Sequence, residues 1–328
     1  MKQGLDSKVS RLRKDELWAG KIWSLLNQTF VKWYEDKAPR LGAALAYYTV
    51  FSLAPLLIIV IAIAAFAFSA LGQQGAHSII QNHIIAQIRE LIGQQGGELV
   101  LTLLQASEKP STGIPATIFG VVSLLFGALG VFGELQNSLD TIWEVKSKPG
   151  AGFSGVLQSR LLSFTLVLGT GFLLLVSVVL SAGLAAMEEP LNGLLPLPML
   201  VMQFLNIGFS FLVITAVFAL LFKYLSSARV AWGDVWIGAV ATALLFTVGK
   251  FLIGFYLGRS GAPSAYGAEE GLVILLAWIY YSAQIFFLGA EFTKVYANAY
   301  GSRIVPGEDA MPVTEQDRKQ QGIPHDRK

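Results

Sequence analysis

Long apolar runs recur along the chain between short polar stretches, and their lengths set the architecture. A helix that crosses a bilayer needs about 20 predominantly apolar residues. Six runs meet that length: residues 44–71, 114–139, 161–187, 199–222, 236–257 and 272–296. The predicted class is all-α, a polytopic membrane protein with six transmembrane helices. Ahead of the first run, Trp18, Ile22, Leu25, Leu26, Phe30 and Trp33 recur near a 3.6-residue period, which predicts an amphipathic helix. Flanking lysines and tryptophans suit two placements, a helix lying in the cytoplasmic headgroup layer or one packed against the bundle. Residues 73–113 are too long for a structureless loop. There Ile80, Ile84, Ile88, Leu91 and Ile92 form a stripe, Gly96 and Gly97 interrupt it, and Leu99–Leu104 resume it. Two short helices forming an external cap between spans 1 and 2 are expected.

Three domains follow: a basic arm over 1–40, a membrane domain over 41–300, and a polar tail over 301–328 that is expected to be disordered. The 28 residues of the first run rise roughly 42 Å as a helix, against a hydrocarbon core of about 30 Å. Pro55 supplies a kink, because proline removes one helical hydrogen bond. Tyr47 and Tyr48 suit an interfacial aromatic belt. Gly127, Gly130 and Gly133, spaced three apart, and the Gly254-x-x-x-Gly258 motif mark helix-packing faces.

Composition agrees with lipid as the solvent. The 328 residues are 54% hydrophobic and 14% charged, against about 25% charged in ordinary soluble domains. A net charge of +2 gives no reason to expect nucleic acid as a partner. With no cysteine, disulfides and thiolate ligands are excluded. His77 and His83 lie six apart with no third ligand near, so neither a metal nor a cofactor is expected. No phosphate-binding G-x-x-x-x-G-K-[ST] motif occurs. The basic start is not followed by a short apolar core and small-residue cleavage site, so a secretory signal peptide is not expected.

Charge also orients the spans. Odd and even loops fall on opposite sides, and one side carries 20 Lys/Arg while the other carries three, Arg89, Lys109 and Arg259. The positive-inside rule places both termini in the cytoplasm.

Particular residues resemble a known family. Ala43-Ala44-Leu45-Ala46-Tyr47-Tyr48, leading to Ser52-Leu53-Ala54-Pro55-Leu56-Leu57, resembles the first span of the YihY/BrkB family of bacterial inner-membrane proteins. Gly130-Val131-Phe132, Leu135-Gln136 and Thr141-Ile142-Trp143 are similar to it too. So are Trp232-x-Asp234, Gly238-Ala239, Gly249-Lys250, Tyr266-Gly267 and Gly289-Ala290-Glu291. Glu269-Glu270 departs from the apolar entry expected for the last helix. The resemblance implies six spans in the bacterial inner membrane and an envelope role, including export of lipid or lipopolysaccharide precursors. An older label for the family, ribonuclease BN-like, finds no support in these residues.

Charged residues inside spans are costly and mark candidate function. Lys250 is 14 residues from Trp236, ~21 Å along an outward-running helix, and Glu291 is 19 residues from Leu272, ~28 Å along an inward-running one. A direct pair between them is therefore not expected. The same measure groups Gln203, Asn206, Lys250, Tyr280 and Tyr281, with Gln284 deeper, as substrate-path candidates on the outward side. Glu134 and Glu291 form a cytoplasmic-side acidic layer. Lys250 would engage an anionic head group or ion in an outward cavity, or else snorkel to the outer headgroups. The glutamates would carry protons or cations, or else rest at the interface.

The expected function is a transporter or lipid/envelope-precursor translocator for an anionic or amphipathic substrate. The alternative is a non-transporting scaffold or partner subunit of envelope machinery, reached through the external cap. Membrane lipids and an envelope or periplasmic protein are the expected partners. A membrane-embedded enzyme ranks last for want of a nucleophile, base or metal constellation. The oligomeric state is open.

Overall fold

A computed structural model of the chain describes residues 20–70, 81–82, 85–86, 89, 94, 96–105, 130–148, 199–259 and 270–323. Side chains at 54–56, 58–70, 199–206, 251, 253–259 and 270 lie outside the description. Helix α1 covers 20–35, and a two-residue corner at Asp36 and Lys37 leads into α2, Ala38–Ala70. Then come helical segments α3 (96–105) and α4 (130–142), strand β1 (Val145–Ser147), α5 (Met199–Tyr224), β2 (Ala228–Arg229), α6 (Trp232–Arg259) and α7 (Glu270–Ala299). Strands β3 (Val305–Pro306) and β4 (Ala310–Pro312) and the short α8 (Glu315–Gln321) follow.

Stretches Ile207–Tyr224, Trp232–Lys250 and Gly271–Ala299, within α5, α6 and α7, are long and apolar enough to cross a membrane. Helix α2 runs unbroken through Pro55. The expected span 161–187 and most of 114–139 lie outside the described residues, as do His77, His83 and Gly127. Large apolar side chains point outward all along the bundle, Leu252, Leu212, Leu244 and Val248 among them. In water that much exposed apolar surface would drive association, whereas hydrocarbon solvates it.

Helix α7 is the hub. It packs against α2 and α6, and α6 packs in turn against α5. The α6–α7 seam is built from reciprocal notches: a Cβ on Gly238 would overlap Thr293 of α7, and a Cβ on Gly289 would overlap Thr242 of α6. Each threonine hydroxyl also donates to a carbonyl four residues back, Gly238 O and Gly289 O, at 2.7 Å. Neither leaves a polar atom unmet in the seam. Small residues let the two backbones approach closely, which is what holds helices together when lipid is as apolar as leucine.

The main core lies toward one end of the bundle, where Phe222 stacks on Phe286 at 5.3 Å beside Phe218, Phe287 and Trp143. The Trp143 indole N–H donates to Ala290 O at 3.2 Å, so the α4–β1 turn is tied to α7. A second cluster joins Ile85, Val100 and Leu104 to Leu275 and Trp278 of α7, with Val50, Leu53 and Leu57 of α2 packed on it. The helical pieces within 73–113 thus cover the starting half of α7.

The segment after α7 differs from the disordered tail expected of it. Strand β4 pairs antiparallel with β1, Lys146 opposite Met311, and β3 pairs with β2, Ala228 opposite Pro306. Helix α8 carries a capping box between Thr314 and Asp317 and ends on Gly322 in the left-handed conformation. Polar composition misleads here because the order comes from backbone pairing to two distant loops, which needs no apolar stripe. Residues 305–321 form a strap joining the turns that follow α4 and α5.

Candidate functional site

The strap end of the bundle gathers five charged side chains. Asp36 lies in the α1–α2 corner, Glu144 in the α4–β1 turn, Glu291 and Lys294 on α7, and Arg318 on α8. Lys294 Nζ lies 3.2 Å from Asp36 Oδ2 and 2.8 Å from Glu144 Oε1. Arg318 repeats the pattern, 3.1 Å to Asp36 Oδ1 and 2.5 Å to Glu144 Oε1. Two cations and two carboxylates thus close a ring. Asp36, Lys294 and Arg318 are buried, while the Glu144 side chain stays 34% exposed. Burial alone would raise the Glu144 carboxyl, but Lys294 and Arg318 overcome it and hold the group below the usual value of 4.5.

The backbone is bent to make this ring. Glu144 (φ 57°) and Lys37 (φ 56°), the neighbour of Asp36, both sit in the left-handed region. For a residue with a Cβ that costs on the order of 1 kcal/mol, and it persists where surrounding contacts fix it. Here Val313 N donates to Glu144 O at 2.9 Å, and Leu41 N to Lys37 O at 3.2 Å.

Asp140 organises a second polar knot at the same end. Its carboxylate accepts from Ser226 Oγ at 2.7 Å, Ser227 N at 2.7 Å and Ser227 Oγ at 2.8 Å, gripping the turn after α5. Burial nevertheless raises its pKa. Asp234, in the first turn of α6, accepts from Ser302 N at 2.9 Å and anchors the exit of α7. Lys146 pairs with Asp317, whose pKa is lowered to about 2 by that lysine and by Thr314.

Helices α1, α6 and α7 flank an open crevice of about 590 Å³. Trp23, Leu26 and Phe30 of α1 face Leu244 and Leu245 of α6 and Leu288 and Phe292 of α7, so the lining is almost wholly apolar. Its Thr29 hydroxyl is internally satisfied by donating to Leu25 O at 2.8 Å.

The structure redistributes the residues singled out in the sequence. Glu291 is wholly buried, and the acids facing it are Asp36 and Glu144, not Glu134. Glu134 sits half-buried on α4, which continues past it and delivers Glu144 instead. Lys250, half-buried on α6, follows Gly249, where the Tyr281 hydroxyl packs on the bare backbone. Tyr280, one residue before Tyr281, is exposed. Gln284 departs from the outward group: its amide abuts Gly42 and donates to Ala38 O at 3.5 Å, in the α2–α7 seam. Gln203 and Asn206 lie on α5 with side chains outside the description. Among the described residues, a Cβ on Gly130 would meet the Tyr48 ring at 3.6 Å and one on Gly133 would meet nothing within 4 Å. Gly42, Gly238, Gly249 and Gly289 are packing notches. The backbones of Gly254 and Gly258 lie in α6.

The family described as "Virulence factor BrkB" matches residues 29–314. The "UPF0761 membrane protein" of Teredinibacter turnerae is 29% identical over 306 residues, 92% of this chain and 67% of that protein. The protein of the same name in Pseudomonas aeruginosa strain LESB58 is 30% identical over 264 residues, 78% of this chain and 58% of that one. A Ralstonia nicotianae relative is 26% identical, with 55% of its length covered. The chain therefore spans a little over half to two thirds of these relatives. No solved structure matches it.

Proposed function

This chain belongs to the BrkB family of membrane proteins, and on that premise we propose that it translocates an amphipathic, anionic lipid or envelope precursor across the bacterial inner membrane. The observation that carries the reading is the apolar crevice between α1, α6 and α7. Its volume of about 590 Å³ falls in the usual range for small-molecule sites, roughly 300–1,000 Å³. Apart from Asn27 and Thr29 its walls are apolar side chains, which suit an acyl chain. Because they belong to α1 and to two spanning helices, the natural occupant is a lipid tail.

Charge supplies the other half. Lys21, Lys32, Lys37 and Arg40 flank α1 and its corner, where an anionic head group attached to that tail would lie. The positive-inside count turns this end, with both termini, toward the cytoplasm. Lys250 and Tyr281, further along α6 and α7, then form the outward station. The full six spans belong to this reading, as does the absence of a catalytic step.

The test is lipid movement in proteoliposomes, followed with a headgroup-labelled anionic phospholipid. Wild-type protein moves the label between leaflets, and Leu288→Trp, which fills the crevice, slows it several-fold. Absence of lipid movement by wild type would sink the reading and favour a scaffold that engages envelope partners through the α3 region.

A further inference from the structure

The five charges at the strap end do not balance. Asp36, Glu144 and Glu291 are three acids, and Lys294 and Arg318 are two bases. Both bases bridge the same two acids, Asp36 and Glu144; Lys294 also attracts Glu291 but makes no hydrogen bond to it. Glu291 is left over, one turn before Lys294 on α7. It is 0% exposed, and neither carboxylate oxygen has a hydrogen-bond partner among the described residues. Ionised, it would place a third negative charge among two positive ones, out of contact with water, which is the costliest arrangement for a carboxylate.

One added proton removes the difficulty. It brings the five groups to neutrality and turns an acceptor without donors into a donor. The acceptor is at hand: the Asp36 carboxyl faces Glu291, close to it though short of hydrogen-bond geometry in this arrangement. Asp36 already receives one hydrogen bond on each oxygen, and each oxygen has a second lone pair free.

We propose that Glu291 is a proton-binding site, its proton shared with Asp36 across the contact between the α1–α2 corner and α7. The charged groups facing it come from four elements: Asp36 from the corner, Glu144 from the α4–β1 turn, Lys294 from α7 itself, and Arg318 through the strap. Glu144, the partly exposed member of the ring, connects the site to water. The proton comes from water at the strap end and returns there; the bond made and broken is Glu291 O–H. A metal cation fits poorly. It would want about six oxygen ligands, whereas no three described acidic or histidine side chains converge in a metal-holding geometry, and the two bases repel it. The assignment does not depend on the acyl crevice and holds whether or not lipid is moved.

The experiment is infrared spectroscopy of the full chain in nanodiscs at neutral pH. The wild type shows a carboxylic-acid C=O band that moves on carbon-13 labelling of glutamate and is lost in Glu291→Gln. That variant, which mimics the neutral acid, melts no lower than wild type. Absence of the band, its persistence in Glu291→Gln, or a lowered melting temperature in that variant overturns the proposal. A melting temperature that rises with sodium chloride but not choline chloride, in wild type and not in Glu291→Gln, assigns a metal cation instead and also overturns it. Should Glu291→Gln fail to fold, Glu291→Asp decides. A band that no longer responds to glutamate labelling supports the proposal, and an unchanged band refutes it.

Discussion

Arg318 Nη2 lies 3.1 Å from Asp36 Oδ1, joining residues 282 positions apart. The guanidinium reaches Glu144 with its other terminal nitrogen, so one side chain of the strap holds the α1–α2 corner and the α4–β1 turn together. Removing one partner of a buried ion pair costs about 3–5 kcal/mol, because the charge left behind stays out of water. Lys294 still serves both acids in Arg318→Ala, which puts the expected loss at the lower end, about 3 kcal/mol. Thermal melting in detergent measures it, and proteolysis within 300–323 should quicken. Arg318→Lys, which keeps the charge and loses the fork, should fall between.

Glycines on the α6–α7 seam and on α4 should respond in opposite directions. Gly238→Val drives a side chain into Thr293, and overpacking of that kind costs about 1–3 kcal/mol. Gly133→Ala meets none of the described residues within 4 Å and gains helix propensity, so it should be neutral or stabilising by up to about 1 kcal/mol. Melting temperatures of the two variants, side by side, test the assignment of the notches. Equal losses would refute it.

Acid should loosen the strap. The Glu144 carboxyl is held below its ordinary 4.5, so the stability it adds is present above that value and is lost as pH falls through the lower folded value. Strap proteolysis followed across that range should rise on acidification. In Glu144→Gln, already deprived of the charge, the rise attributable to this group should be absent.

Lys250 belongs to the outward station of the proposed lipid route, away from the crevice. Lys250→Ala should slow transfer in proteoliposomes while leaving the lipid that copurifies with the protein unchanged by mass spectrometry. Leu288→Trp should reduce both. Full transfer by Lys250→Ala would remove that residue from the route.

The spans were legible because the bilayer demands a length and lipid demands apolarity, so residues 199–222, 236–257 and 272–296 already located α5, α6 and α7 to within four residues at each end. The site was less so. Glu291 stood out as a charge in an apolar run, but its neighbours did not. Asp36 was one charge in a charged arm, and Arg318 lay in a polar tail. The tail did carry a local signal, Thr314-x-x-Asp317 followed by Gly322, the start and stop of a short helix. What no local pattern could reveal was the pairing of strands two and three residues long with loops far back in the chain.

That pairing sets an order of assembly. The residues that close the strap end leave the ribosome after every helix they tie together, so the corner after α1 and the turns after α4 and α5 wait with Asp36 and Glu144 lacking Arg318. Until then the corner and the turns lack the contacts that the strap supplies. Docking of the strap is thus the step that locks the α1–α2 corner and the α4–β1 turn to each other.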